Sequence, residues 1–455
     1  MKIKFGIARR CINPQCPISL EGYFNKRMWN KVLDDLEVRV LVMKDASGNY
    51  CAIMHFDLIF VTFDMRRMII DGIKKAGLSK FSERNVITSA THTHTAPEVN
   101  LSKPGPSAEY IPVVIESAIQ ALKEAYDHMT DDGEVETAIA ADNRFIFNRR
   151  YWMKDGTVLT NPGKLNPGIV RPEGEIDPEI PLCALKVNGK IKVLIANIVN
   201  HTDTIGGCGV SADWPGFLRR ELEPEFAPGA MVIPLVGAEG NINHFDTRTD
   251  MDQTCYAESE RIGKGYAETI RRALPTLKKV IGDGIKTAFA EVAVGTREIP
   301  PDEVREAQEI FDRYPEVELE GKGAEVDLTS EDLARETPFA LKFFARKLLD
   351  YAQNRERQVF QLNGLRLGDS LVIATLPGEP FVEIGLTVRK GIFAGRLCMV
   401  AAMAGTGSST YWSGYIPNAW NYGRGGYEIT PNCNPYSTKT SEILVAAWKQ
   451  LADKL

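Results

Sequence analysis

The chain has 455 residues, enough for two or three average domains or for one large α/β body. With 44% hydrophobic and 25% charged residues it has the composition of an ordinary folded protein, and no long tract is biased enough for disorder. A formal charge of -6 gives no electrostatic reason to expect nucleic acid or an anionic membrane, which reward clustered Lys and Arg, so neither a nucleic-acid partner nor stable membrane association is expected.

Residues 1–10 carry charges but no apolar run of signal-peptide length, and no stretch approaches the roughly 20 apolar residues of a membrane span. A cytoplasmic protein is therefore expected. Apolar runs over residues 38–43 and 50–61 predict strands. Residues 64–76 predict a helix, with Met65, Met68, Ile69, Ile70 and Ile73 at helical spacing before Gly77. A short strand follows at 86–88, then a helix over 110–128 with Val113, Val114, Ala118, Ile119 and Leu122 on one face. Strands are predicted at 193–199, 232–236, 371–376 and 397–404, and helices at 258–274 and 442–455. This alternation predicts an α/β fold whose helices cover a largely buried sheet. Residues 300–357 are rich in charge at helical spacing and predict a helical excursion, either a solvated arm or a lid, within a single domain spanning 1–455.

Eight cysteines are scattered without a CxxC pair, which points to buried small hydrophobes and not to a zinc ribbon or a disulfide framework. Cys208, in Gly206-Gly207-Cys208-Gly209, is the one in a loop context that favours reactivity. There are six histidines, and several directly follow apolar strands. His92 and His94 follow the run ending at Ala90, His201 follows residues 193–200, and Asn243-His244 closely follows residues 232–236. Glu379, in Leu376-Pro377-Gly378-Glu379, follows residues 371–376 in the same way. Loops beyond the carboxyl ends of strands converge on one crevice in open α/β sheets, so these groups are expected to meet. Two imidazoles and a carboxylate, His92, His201 and Glu379, suit zinc better than the all-oxygen shells of calcium or magnesium. His55 and His128 read as structural. No Gly-x-Ser-x-Gly elbow, Walker loop or GxGxxG after a strand competes with this reading.

Ser89-Ala90-Thr91-His92-Thr93-His94-Thr95-Ala96-Pro97 resembles the histidine motif of the neutral, non-lysosomal ceramidase catalytic domain. The resemblance continues in order through Asn200-His201-Thr202-Asp203-Thr204, Leu376-Pro377-Gly378-Glu379, and Tyr415 and Tyr427 of a tyrosine-rich loop. It implies a mixed β-sheet core flanked by helices, and one Zn2+ per chain on His92, His201, Glu379 and Tyr415. It also implies that His94 and Tyr427 lie near the reacting carbonyl and that Arg149 contacts substrate, with Arg144 as the rival alignment. The family's Gly-Asp-Val-Ser appears here as Gly240-Asn241-Ile242-Asn243, so Asn243 stands where the family has its active-site serine. The family's carboxyl-terminal β-domain has no counterpart after the tyrosine loop. A zinc-dependent hydrolase of an amide bond in a small, polar, soluble substrate is the expected function. Hydrolysis of an ester or glycosidic bond, true ceramidase activity, and non-catalytic binding on the same scaffold are the alternatives.

Overall fold

Two sheets share one apolar layer because their strands alternate which core each residue enters. The computed structural model describes residues 1–23, 26–101, 105–319, 337–353, 357–408 and 413–455. The first sheet contains β1 (Lys2–Cys11), β2 (Glu37–Lys44), β3 (Tyr50–Phe56), β4 (Val86–Ala90), β5 (Thr130–Ala141), β6 (Glu179–Val187), β7 (Lys190–Ile198) and β8 (Met231–Val236). Its order is β8-β7-β6-β5-β1-β2-β3-β4, with the short Lys278–Lys279 strand also pairing with β5. The β3–β4 and β7–β8 pairs are parallel, while β1, β2, β5 and β6 pair antiparallel. The second sheet runs β9 (Ile285–Val294), β10 (Gln358–Leu367), β11 (Leu371–Thr375) and β12 (Leu397–Ala401), with β11 and β12 parallel.

In β2, Val38, Val40 and Val42 face the helix side, whereas Leu41 and Met43 enter the layer between the sheets. In β7, Leu194, Ala196 and Ile198 face helices, and Val193 and Ile195 enter the shared layer. From the other sheet, Leu371 and Ile373 of β11 and Met399 of β12 enter the same layer, leaving Val372, Ala374 and Val400 for the opposite face. The side-chain period of two thus builds four layers, helix-sheet-sheet-helix. Helices α1 (Phe63–Lys75), α2 (Ser107–Asp127), α3 (Asp213–Leu222) and α4 (Tyr256–Ala273) cover the first sheet. Of the later helices α5 (Pro301–Arg313), α6 (Pro338–Gln353) and α7 (Thr440–Ala452), the last covers the second sheet.

Local signals start and stop α1 as the sequence predicts. At α1 the Thr62 side chain accepts from the Met65 N–H, Asp64 occupies the first turn, and Lys74 and Lys75 the last. Gly77, at φ 79°, then takes the left-handed position that ends the helix, with Leu78 N–H donating to Ile73 O at 3.1 Å.

The predicted strand over 50–61 stops at Phe56. Residues 58–61 are apolar because, with the buried Asp57, they form a buried loop beneath the candidate site. The strands Lys2–Cys11, Thr130–Ala141, Glu179–Val187, Ile285–Val294 and Gln358–Leu367 are not apparent in the sequence, and neither is helix α3. Charges interleaved with apolar residues, as in Lys2-Ile3-Lys4-Phe5, hide such strands from a search for continuous apolar runs. Within the predicted excursion, α5 and α6 are helical, and Lys342 Nζ donates to the Tyr314 and Val317 carbonyls at 2.6 and 2.7 Å. The parts of that expectation on 320–336 and 354–356 lie outside the described residues. Among the described residues no helix is long and apolar enough to cross a membrane.

Candidate metal centre

The strand ends bring three imidazoles together. His92 leaves β4 at φ 63°, a left-handed conformation that costs a non-glycine residue roughly 1–3 kcal/mol. The buried 57–61 loop sustains it, since His92 N–H donates to Leu58 O at 2.9 Å and Nδ1 faces Ile59 O at 2.8 Å. A carbonyl only accepts, so Nδ1 carries a proton, and Nε2 is the atom that would offer a lone pair to a metal once its own proton is lost. The His201 loop is zipped to the His92 loop by His94 N–H to Thr202 O at 3.1 Å and Thr202 Oγ1 to Thr91 O at 2.6 Å. Trp214 Nε1 secures His201 O at 2.9 Å. Gly22 lies against His94 at φ 105°, and a Cβ there would fall 2.6 Å from His94 Cγ, so only glycine fits.

The three Nε2 atoms form a near-equilateral triangle: 3.2 Å for His92–His201, 3.3 Å for His92–His94 and 3.2 Å for His94–His201. Ligand nitrogens about 2.0–2.1 Å from a tetrahedral zinc lie about 3.3–3.4 Å apart, so the spacing fits a metal. Three imidazole nitrogens converging on one point also cannot all satisfy one another by hydrogen bonding, because each pair needs one donor and one acceptor. The buried His92, His94 and His201 group can therefore hold a metal ion.

Glu379 Oε2 lies 3.4 Å from His92 Nε2 and 3.8 Å from His201 Nε2. It is carried by a two-residue strand, Glu379–Pro380, paired in parallel with Tyr415–Ile416. Gly378, at φ 57°, makes the turn before it, where a Cβ would meet Gly414 O at 2.5 Å. Tyr415 and Tyr427 meet edge to face with ring centroids 5.7 Å apart, and their hydroxyls are hydrogen-bonded. Residues 411–412 of the predicted tyrosine loop lie outside the described residues.

Arg149 is 2% exposed and lies behind the tyrosines, its guanidinium carbon 5.1 Å from the Tyr415 ring centroid and 5.6 Å from that of Tyr427. Nε donates to Glu428 Oε1 at 3.1 Å and Nη2 to Gly240 O at 2.7 Å. Arg144 is instead committed to Asp142, at 2.7 Å, and to Gly265 O on α4. Asn243 is fully buried, with Nδ2 donating to Asn161 Oδ1 at 2.9 Å and Oδ1 accepting from Phe245 N at 3.2 Å. His55 is not part of the triangle and hydrogen-bonds Ser89 Oγ at 2.9 Å, while His128 Nδ1 donates to Glu124 O at the end of α2.

The electrostatics separate the three imidazoles. Burial draws His92 down, but the Glu379 carboxylate outweighs it and leaves His92 raised to about 9. Burial and the neighbouring His92 charge hold His94 down at about 3, and burial also holds His201 well below its ordinary value. Burial raises Glu379, yet His92 prevails and lowers it to about 2. Burial pushes both tyrosine hydroxyls above their ordinary value.

Sequence reading passed over Glu239. It is fully buried on the loop after β8, with no hydrogen-bond partner for either oxygen among the described residues. Burial raises it to about 8, with His92 opposing and Glu379 reinforcing the shift. A carboxylate directly after an apolar strand was the available signal, the same one that exposes Glu379.

No protein-family model matches the chain. No curated protein matches it in sequence either. Among solved structures it is similar to the neutral ceramidase of Pseudomonas aeruginosa, at TM-score 0.72 and 15% identity, covering 99% of this chain and 74% of that one. A ceramidase complexed with C2 gives TM-score 0.71 and 14% identity, covering 99% of this chain and 75% of that one. The chain has a neutral-ceramidase-like fold. At this identity the likeness is one of backbone architecture. Within this fold, the His-Thr-His, the His201 loop and Pro-Gly-Glu come from separate loops and meet, and the strand carrying Glu379 pairs with the one carrying Tyr415.

Proposed function

We propose that the chain is a zinc-dependent hydrolase that cleaves an amide bond in a small, polar, soluble substrate in the cytoplasm. The triangle of imidazole nitrogens at 3.2–3.3 Å carries the reading, because burying three converging imidazoles without a metal leaves their lone pairs opposed. The ceramidase likeness supports hydrolysis by analogy of fold. All eight cysteines are free, which suits a reducing compartment.

Zinc would be held by His92, His201, Glu379 and Tyr415, with His94 the alternative third imidazole. When bound, it supplies Lewis acidity that lowers the pKa of water and polarises a carbonyl. His94, held uncharged by burial, would stand with Tyr427 at the reacting carbonyl, where one of the two protonates the leaving amine. Tyr427, kept protonated by burial, donates a hydrogen bond to the developing oxyanion. Arg149, its guanidinium carbon 5.1 and 5.6 Å from the two tyrosine ring centroids, and Asn243 are the residues assigned to substrate contact.

Amine release from a panel of soluble N-acyl compounds, measured beside detergent-dispersed short-chain ceramide with and without a chelator, tests the proposal. Turnover of polar amides that stops on chelation and returns with zinc is expected. Turnover that survives chelation removes the metal from the mechanism, and efficient ceramide cleavage without turnover of polar compounds makes the enzyme a ceramidase.

A further inference from the structure

The helical excursion takes no part in the steps above, yet α6 lies against the segment that carries the tyrosines. That segment has little regular structure of its own. Tyr415 sits on a two-residue strand, and Gly425 and Gly426, at φ 107° and 87°, lead into Tyr427. Two successive glycines in the left-handed region leave the backbone many conformations, so the place of the tyrosines has to be fixed from outside.

A turn over 430–434 links the two. Thr430 N–H and Oγ1 both donate to Tyr427 O, at 3.0 and 2.7 Å. The turn closes on Thr430 O, which accepts from Cys433 N–H at 3.1 Å and Asn434 N–H at 2.9 Å. Cys433 O then accepts from Tyr415 N–H at 2.9 Å, and a Cβ on Gly414 would fall 2.3 Å from that oxygen. Gly414 O accepts in turn from Glu379 N–H at 3.1 Å. One run of hydrogen bonds therefore reaches from Tyr427 through the turn to Tyr415 and Glu379.

The turn hangs between two supports. On one side Arg297, just beyond β9, donates its N–H to Pro435 O at 3.0 Å and Nη1 to Ile429 O at 2.7 Å. On the other is α6, where Phe344 O accepts from Asn432 Nδ2 at 3.0 Å and Tyr351 Oη donates to Pro435 O. Phe344 lies inside the helix, and its carbonyl has a second lone pair for this bond beside the helical one. An asparagine in a turn ordinarily folds its side-chain oxygen onto the backbone two residues on, as Asn434 Oδ1 does with Tyr436 N–H at 3.2 Å. Asn432 Oδ1 is buried and makes no hydrogen bond among the described residues. Asn432 thus serves the helix contact and not its own turn.

We propose that α6 is a positioning element of the site: Asn432 and Tyr351 hang the tyrosine turn on the helix and so fix where Tyr415 and Tyr427 stand. The inference rests on the hydrolase reading for what the two tyrosines do, and on the hydrogen bonds alone for how they are held.

The test uses the full chain as wild type, Asn432→Ala, Tyr351→Phe and Arg346→Ala, the last an exposed α6 residue that touches neither bond. Amide hydrogen exchange is followed in 414–416, 427–434 and, as the reference, β7. Turnover constants are measured with zinc on whichever compound above wild type cleaves fastest. Asn432→Ala and Tyr351→Phe are each expected to speed exchange in the two tyrosine segments by about 10-fold, the factor that one ordinary hydrogen bond supplies, with β7 unchanged. Both are expected to lower kcat by about 10-fold or more while KM stays within about two-fold, because the misplaced groups act on the reacting bond. Arg346→Ala should match wild type in every measurement. Unchanged exchange in both variants overturns the proposal, as does faster exchange that extends to β7, which would make the bonds a matter of general stability. Faster local exchange with kcat unchanged overturns it too. Faster local exchange in a chain that cleaves none of the compounds upholds the brace and sinks the hydrolase reading, whereas turnover with unaltered exchange and kcat does the reverse.

Discussion

At the scale of single residues, the triangle divides labour that the sequence motif presents as one unit. His92→Ala, His201→Ala and Glu379→Ala are each expected to reduce zinc from about one ion per chain to a small fraction, by elemental analysis after gel filtration. His94→Ala is expected to keep the metal and lower turnover by about 10²–10⁴-fold. Equal zinc loss in all four would make His94 a ligand, as its 3.2 and 3.3 Å spacings also permit. The pH dependence of the metal-free protein follows from the His92–Glu379 pair. His92 is raised from 6.5 to about 9, so its contribution to stability is full below 6.5 and is lost as pH rises through about 9. Glu379 is lowered from 4.5 to about 2, so its contribution is present above 4.5 and is lost as pH falls through about 2. Calorimetry of the metal-free chain should therefore show the pair's contribution at its maximum between about pH 4.5 and 6.5, with Glu379→Gln flattening both flanks. Zinc binding at pH 7 should release at least one proton, because the His92 imidazolium cannot ligate; a titration showing no dependence on buffer ionisation enthalpy would contradict this.

At the scale of elements, the tyrosine loop is placed by a buried charge network. Glu428, next to Tyr427, accepts from Arg149 Nε at 3.1 Å, Arg150 Nη1 at 2.8 Å and Thr160 Oγ1 at 2.6 Å. Arg150 also donates to Glu173 and to Gly425 O, tying the loop to the segment between β5 and β6. Glu428→Gln leaves two buried guanidinium groups short of a counter-charge and is expected to destabilise the chain by roughly 3–5 kcal/mol in urea unfolding. Zinc content should be unaffected, since Glu428 does not approach the triangle; loss of zinc in a folded variant would show that the loop also holds the metal. The order of residues reveals little of this network. Arg149 and Glu428 are 279 residues apart, and nothing local in Asn148-Arg149-Arg150 distinguishes a buried support from a substrate contact.

At the scale of the whole molecule, the site depends on two sheets meeting along one edge. Asn197 of β7 makes that junction, with Nδ2 donating to Leu235 O at 3.1 Å and Val400 O at 3.0 Å, and Oδ1 accepting from Val400 N at 2.9 Å. Ala402 N–H continues it to Val236 O at 2.9 Å. The clamp aligns the ends of β7 and β8, which carry His201 and Glu239, with those of β11 and β12, which lead to Glu379 and the tyrosines. Asn197→Ala orphans buried backbone groups at roughly 1–3 kcal/mol each, so a lower urea midpoint with weaker zinc affinity is expected. An unchanged midpoint would mean that apolar packing alone joins the sheets. The sequence by itself determined the strands and helices with continuous apolar runs or helical spacing, the loops that follow them, and the histidines and Pro-Gly-Glu those loops carry. These are local facts, written in side-chain period and turn chemistry. Only the tertiary structure decided the antiparallel centre of the first sheet, the burial of residues 57–61 under His92, the equal spacing of three imidazoles and the tie between α6 and the tyrosine turn. Each of these depends on groups distant in the chain being desolvated together, and desolvation is a property of the packed molecule that no local pattern encodes.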